Sequence, residues 1–104
     1  MNIQFDRDVD ALYIQLCNGE VVDSEAIEPD IVYDYDAQDR IIGIELLQLR
    51  ENLPNLATKA LPFQRFGQQL EFLSFLESIA DTELKSKLSF ARQILQNQQA
   101  FLQN

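Results

Sequence analysis

Two apolar-rich segments flank a polar break between Ile31 and Leu49. Ile31, Tyr33 and Tyr35 alternate with Val32, Asp34 and Asp36, a period of two that sends successive side chains to opposite faces of a strand. Asp36-Ala37-Gln38-Asp39 interrupts the pattern, and Asp favours turns because its carboxylate accepts hydrogen bonds from nearby backbone N–H groups. Ile41 to Leu49 is almost continuously apolar, as in a strand covered on both faces. Gly43 within it marks a bulge, or a place where a ring or another backbone packs close. Upstream, residues 2–6 and 11–17 each alternate. In the second of these, Leu12, Ile14 and Leu16 share one face, and Ala11, Tyr13, Gln15 and Cys17 the other. Asn18-Gly19 is the strongest short turn dipeptide. Val21 to Ile27 reads as an irregular strand ended by Glu28-Pro29-Asp30, since Pro donates no ladder hydrogen bond. The short connections predict a small antiparallel meander of four to five strands.

The period changes after residue 50. Residues 51–62 read as a connector, with Leu53-Pro54 and Leu61-Pro62 at its ends and one helical turn near 56–60, because residues before Pro avoid the helical region. Residues 63–80 read as a helix. Phe66, Leu70, Leu73, Leu76 and Ala80 form one stripe, and Phe72, Phe75 and Ile79 a second beside it. That arc is wider than the roughly 100° needed to cover one surface, so two neighbours are expected: the sheet, and either the last helix or a second protomer. Asp81 or Thr82 is the expected N-cap of a final helix with Glu83 in its first turn. Leu84, Leu88, Ala91, Leu95 and Leu102 form its stripe, flanked by Phe90, Ile94 and Phe101. No Gly or Pro separates the two helices, which leaves a helical hairpin and one long bent helix both open. The fold class is α+β, a single domain over 1–104. Its helices pack on the sheet or on a partner protomer.

At 46% apolar residues the chain can build a core, and no apolar run approaches the ~18 residues of a membrane span. With one Cys there is no intramolecular disulfide, and no signal peptide is read at the start, so a cytoplasmic location is expected. Charge is segregated. Residues 1–51 carry thirteen acids against Arg7, Arg40 and Arg50, a net of −10, whereas residues 52–104 carry four acids against five bases. An acidic sheet half repels phosphate backbones, which argues against direct nucleic-acid binding, and it suits a basic protein partner.

No His is present, which removes the commonest general base. Cys17 has no His to activate it, and Gly19, Gly43 and Gly67 are isolated, so no phosphate loop exists. No catalytic residue, metal ligand or cofactor is assigned. Carboxylates remain: Asp34, Asp36 and Asp39 around one turn, and Asp6, Asp8 and Asp10 around another. Turn preference explains both clusters better than a cation site does. Glu45 lies on an apolar strand, where an unpaired carboxylate is costly. An edge position, or pairing with Arg40 or an interface Arg, would relieve it. Tyr13, Asp34, Asp36, Glu45, Phe72, Phe75 and Ile79 are the candidate interaction residues.

D-R-D-V-D-A-L-Y-I-Q-L (6–16), S-E-A-I-E-P (24–29) and I-V-Y-D-Y-D-A-Q-D-R-I-I-G-I-E-L-L (31–47) together resemble a small bacterial family catalogued as domain of unknown function 2283, over about half the chain. The resemblance implies a small antiparallel sheet with no established catalytic activity. It also implies an antitoxin-type role, because some members stand beside small toxin-like proteins. Asp10, Leu12, Tyr13, Gly43 and Glu45 match the signature positions, and Tyr13 packing over Gly43 is the structural explanation of two of them. Gln38-Asp39 departs from the family's usual Asp-Gly, and the helices after Pro62 lie beyond its segment.

The expectation is therefore an acidic interaction module that self-associates as a dimer or higher oligomer, or neutralises a basic partner. A carboxylate- and divalent-metal-dependent enzyme and a DNA-mimicking inhibitor are the alternatives.

Overall fold

The computed structural model describes the backbone of residues 1–103, with the side chains of all of these except positions 54, 58 and 99–103. Eight elements follow in order: β1 (Asn2–Asp6), β2 (Ala11–Gln15), β3 (Asp23–Glu28), β4 (Ile31–Tyr35), β5 (Ile41–Leu46), α1 (Leu49–Thr58), α2 (Phe66–Ile79) and α3 (Thr82–Gln103). The chain divides into two compact units, Met1–Glu51 and Asn52–Asn104. No helix among the described residues is long and apolar enough to cross a membrane.

The first unit is a five-stranded antiparallel sheet in the order β1-β2-β5-β4-β3. The α+β class stands, but the order departs from a meander at one place. Asn18-Gly19 does not close a hairpin. The segment after β2 instead carries the chain to the far edge, and β5 inserts between β2 and β4. Composition explains the choice. The central place buries both faces of a strand and suits I-I-G-I-E-L, whereas D-S-E-A-I-E carries three carboxylates and belongs at an edge, where charge blocks unwanted pairing.

Register then sorts the faces. Phe5, Leu12, Leu46 and Ile31 lie side by side across four strands, as do Ile3, Ile14, Ile44 and Tyr33. Leu12, Ile14, Ile44 and Leu46 are fully buried, each worth roughly 1.5–3 kcal/mol relative to exposure. The other face carries Gln4, Tyr13, Glu45 and Val32 in one row, and Gln15, Gly43, Asp34 and Ser24 in the next. Asp34 pairs with Gly43 but Tyr35 pairs with Ile41, so the ladder skips Ile42 in a bulge. The expected strand to Leu49 stops at Leu46, because Gln48 turns to φ 48° and α1 begins.

Asp10 secures that change of direction. It sits at φ 54°, a left-handed conformation that Asp tolerates better than most residues. Its carbonyl accepts the Leu49 N–H at 3.0 Å, and its carboxylate accepts the Arg50 N–H at 3.3 Å and Arg50 Nε at 3.1 Å. An acid 40 residues away in sequence thus caps the N-terminus of α1.

The second unit is helical. The connector expected at 51–62 is mostly α1. Leu49, Leu53, Leu56 and Ala57 recur at helical spacing and are buried, which outweighs the Pro in the sequence. Between α2 and α3, Ala80 is extended at φ −79°, ψ 148°. Two separate helices result, and they pack on each other. The Asp81 carboxylate caps α3 by accepting the Leu84 N–H at 2.9 Å. The Gln68 side chain turns back to accept the Gln64 and Arg65 N–H groups at the start of α2. Arg92 on α3 pairs with Glu77 and donates to Ser74 on α2. Leu88, Ala91 and Leu95 are buried as the stripe requires, whereas Phe90 is 71% exposed. Phe101 and Leu102 lie outside the described side chains.

Replacing Asp10 by Ala is expected to destabilise the protein by about 1–2 kcal/mol, as loss of a helix cap does. Asp10→Asn keeps the left-handed preference and an acceptor oxygen, so it costs less. Urea unfolding of the two variants checks the order.

Candidate functional site

Gly43 organises the polar face of the sheet. A Cβ at this position would lie 2.1 Å from Tyr13 Oη and 2.8 Å from Tyr13 Cζ. Only a residue without a side chain lets the Tyr13 ring cross β5. The phenol then donates to Asp34 Oδ2 on β4 at 2.9 Å, and the Ser24 hydroxyl on β3 donates to Asp34 Oδ1 at 2.6 Å. Four adjacent strands contribute: β2 the ring, β5 the gap, β4 the acceptor and β3 the second donor. Glu45 stands opposite Tyr13 in the register. The packing of Tyr13 over Gly43 expected from the sequence is therefore present.

These surroundings hold the Tyr13 phenol neutral, with its pKa pushed up to about 12. Burial contributes most, followed by the hydrogen bond to Asp34 and the charges of Asp34 and Glu45. A phenol so held is a hydrogen-bond donor at neutral pH and not a nucleophile.

Beside the ring an open groove of about 530 Å³ is lined by Phe5, Asp6, Asp8, Tyr13 and Glu45, with Arg7 as its basic residue. Carboxylates beside the Tyr13 ring suit a cationic side chain better than an anion. Among the described residues no three acidic or cysteine side chains converge as a metal site. Asp6 instead accepts the Asp8 N–H at 3.0 Å.

The candidates chosen from sequence separate into three groups. Tyr13, Asp34 and Glu45 come together on the polar face. Asp36 belongs to the turn: it is 5% exposed and accepts the N–H groups of Gln38 and Arg40 and the Arg40 guanidinium, each near 2.9 Å. The Arg40 N–H bond, ahead of the side-chain bond, holds its carboxyl below the usual range. Arg40 is thereby engaged with Asp36 and not with Glu45, and Glu45 lies on the central strand and not at an edge. Phe72, Phe75 and Ile79 lie in the helical unit. Phe72 is buried with its ring centroid 5.6 Å from that of Phe63, and Phe75 and Ile79 are half-buried. Ser24 was missed, because its place opposite Asp34 follows only from the β3–β4 register.

Gly43→Ala is expected to displace the Tyr13 ring and cost about 1–3 kcal/mol, as overpacking does. Tyr13→Phe removes only the hydroxyl and costs about 0.5–1.5 kcal/mol. In a Tyr13→Ala background Gly43→Ala should cost much less, a coupling that urea unfolding of the double-mutant cycle measures. The phenol also makes stability depend on alkali. Its folded pKa lies above the unfolded value of 10, so its contribution is complete below pH 10 and is lost as pH rises through about 12. A phenolate-absorbance titration should show the highest tyrosine step vanish in Tyr13→Phe.

No curated protein and no solved structure matches the chain. A family profile does. Residues 2–50, which hold the five strands and with them Tyr13, Gly43 and Glu45, match the family described as protein of unknown function (DUF2283), and α2 and α3 lie beyond the match.

Proposed function

We propose that this protein is an acidic interaction module whose sheet unit binds a basic protein partner, in the manner of an antitoxin holding a toxin. The observation that carries this reading is the distribution of charge. No Lys or Arg occurs between Asp8 and Asp39, while residues 20–39 hold eight carboxylates. Asp36 is engaged by its turn, Asp34 by Tyr13 and Ser24, and Asp23 by the Ser24 N–H. With no base among them, the eight together give this part of the sheet unit a negative field. Such a field speeds encounter with a basic partner and disfavours nucleic acid.

Self-association belongs to the same reading, through the broad apolar surface of α2 on which Phe75 and Ile79 remain half-buried.

A tagged pull-down from the native lysate, with mass and stoichiometry read by light scattering, tests the proposal. A stoichiometric basic protein is expected. Its affinity should fall at least tenfold between about 0.05 M and about 0.5 M salt, as for charge-steered association. Recovery of the bare chain alone would exclude a constitutive partner.

A further inference from the structure

We infer that the docking site is the outer edge of β3, and that its occupant is an extended, arginine-bearing segment of the partner, added as a sixth strand. This rests on the proposed reading and names the surface that reading uses.

Three independent observations meet at this edge. First, β3 ends the sheet and all six of its residues are exposed. A terminal strand presents a row of backbone donors and acceptors that another extended chain can complete. Secondly, Val21, Val22 and Ile27, in and just before this strand, are 44%, 57% and 42% exposed. Three of the large apolar side chains left in water thus fall within seven residues, where alternate side chains of an added strand would reach them. Thirdly, the polar side chains here are of one sign. Asp23 stands opposite Tyr35, and Glu25 opposite Tyr33, so each carboxylate lies beside a phenol ring on the same face. That combination matches arginine, whose guanidinium pairs with a carboxylate and stacks on an aromatic face together. The negative potential is felt by Tyr35. Desolvation raises its pKa most, and Glu25, Asp23 and Asp39 add to it.

The same charges decide against a second copy of the chain. Antiparallel pairing of two β3 edges would bring Asp23, Glu25 and Glu28 of one copy against those of the other with no base among them, and like charges directly opposite are destabilising. The edge is closed to itself and open to a basic strand.

Titration calorimetry of the full chain tests this with two synthetic probes. The first is a capped peptide of alternating Arg and Val; the second is the same peptide with alternate backbone nitrogens methylated, equal in charge but unable to complete a ladder. The first is expected to bind, and the second to bind at least tenfold more weakly. Asp23→Asn/Glu25→Gln should weaken the first at least tenfold. Both side chains are exposed, and an unchanged circular dichroism spectrum confirms that the fold is kept. Glu71→Gln/Glu83→Gln, two exposed acids of the helical unit, should change it less than threefold. Equal binding of the two probes would overturn strand addition. Equal loss in both double variants would overturn the choice of β3. Either result, with a basic partner still recovered from lysate, leaves the proposed function standing, whereas recovery of no partner removes that reading itself.

Discussion

The Tyr13–Asp34 hydrogen bond spans a strand that neither residue belongs to. It forms because β5 offers hydrogen at Gly43 where any other residue would place a carbon 2.1 Å from the phenol oxygen. That one absence ties β2 to β4 over the strand they share, and through Ser24 it reaches β3 as well. The opposite face is held by ordinary burial of Leu12, Ile14, Ile44 and Leu46. The sheet thus has an apolar side that supplies most of its stability and a polar side whose hydrogen bonds fix its register. A one-residue slip of β5 would move Gly43 from beneath the ring and lose both.

Carboxylates in the sheet unit do two different jobs. Asp10, Asp34 and Asp36 each accept hydrogen bonds from groups that would otherwise lack partners: the first turn of α1, a tyrosine beneath which no side chain lies, and the N–H groups of the β4–β5 turn. The acids of β3 are placed differently, although Asp23 accepts the N–H of its neighbour Ser24 at 2.9 Å. They stay exposed on an edge strand, where they bar self-pairing and leave a surface complementary to positive charge. The distinction is between carboxylates that the fold requires and carboxylates exposed at its edge, where the proposed partner would meet them.

Much of the sheet was legible in the sequence. Alternation set β1, β2 and β4 to within two residues, and the glycine in β5 announced the close approach of a ring. Strand order was not legible. Asn18-Gly19 carries the local signature of a tight hairpin, and only the burial of β5 against the charge of β3 shows why the chain bypasses it. Pro54 hid α1, because a local breaker weighs heavily until the buried stripe of Leu49, Leu53, Leu56 and Ala57 is set against it. The site divided in the same way. Tyr13 and Gly43 could be paired because both stand at signature positions of the family that the sequence resembles. Ser24 could not be joined to Asp34 without the register, whereas the turn role of Asp36 follows from the preference of Asp for turns. Asp81 capped α3 as expected, whereas the break at Ala80 depended on backbone geometry that no residue type there announces.

Native-state amide hydrogen exchange of the full chain, followed residue by residue, bears most directly on the central claim that β5 is the protected centre of the sheet and β3 its open edge. Exchange should be slowest in β5 and β2. In β3, amides that face outward without an acceptor should exchange at nearly the rate of an unprotected peptide, whereas the Ser24 N–H, held by Asp23 Oδ1 at 2.9 Å, and those bonded to β4 should be slower. Uniformly slow exchange across β3, at a concentration where the chain is monomeric, would contradict the account, for it would mean that the edge is already covered and that no strand remains to be added.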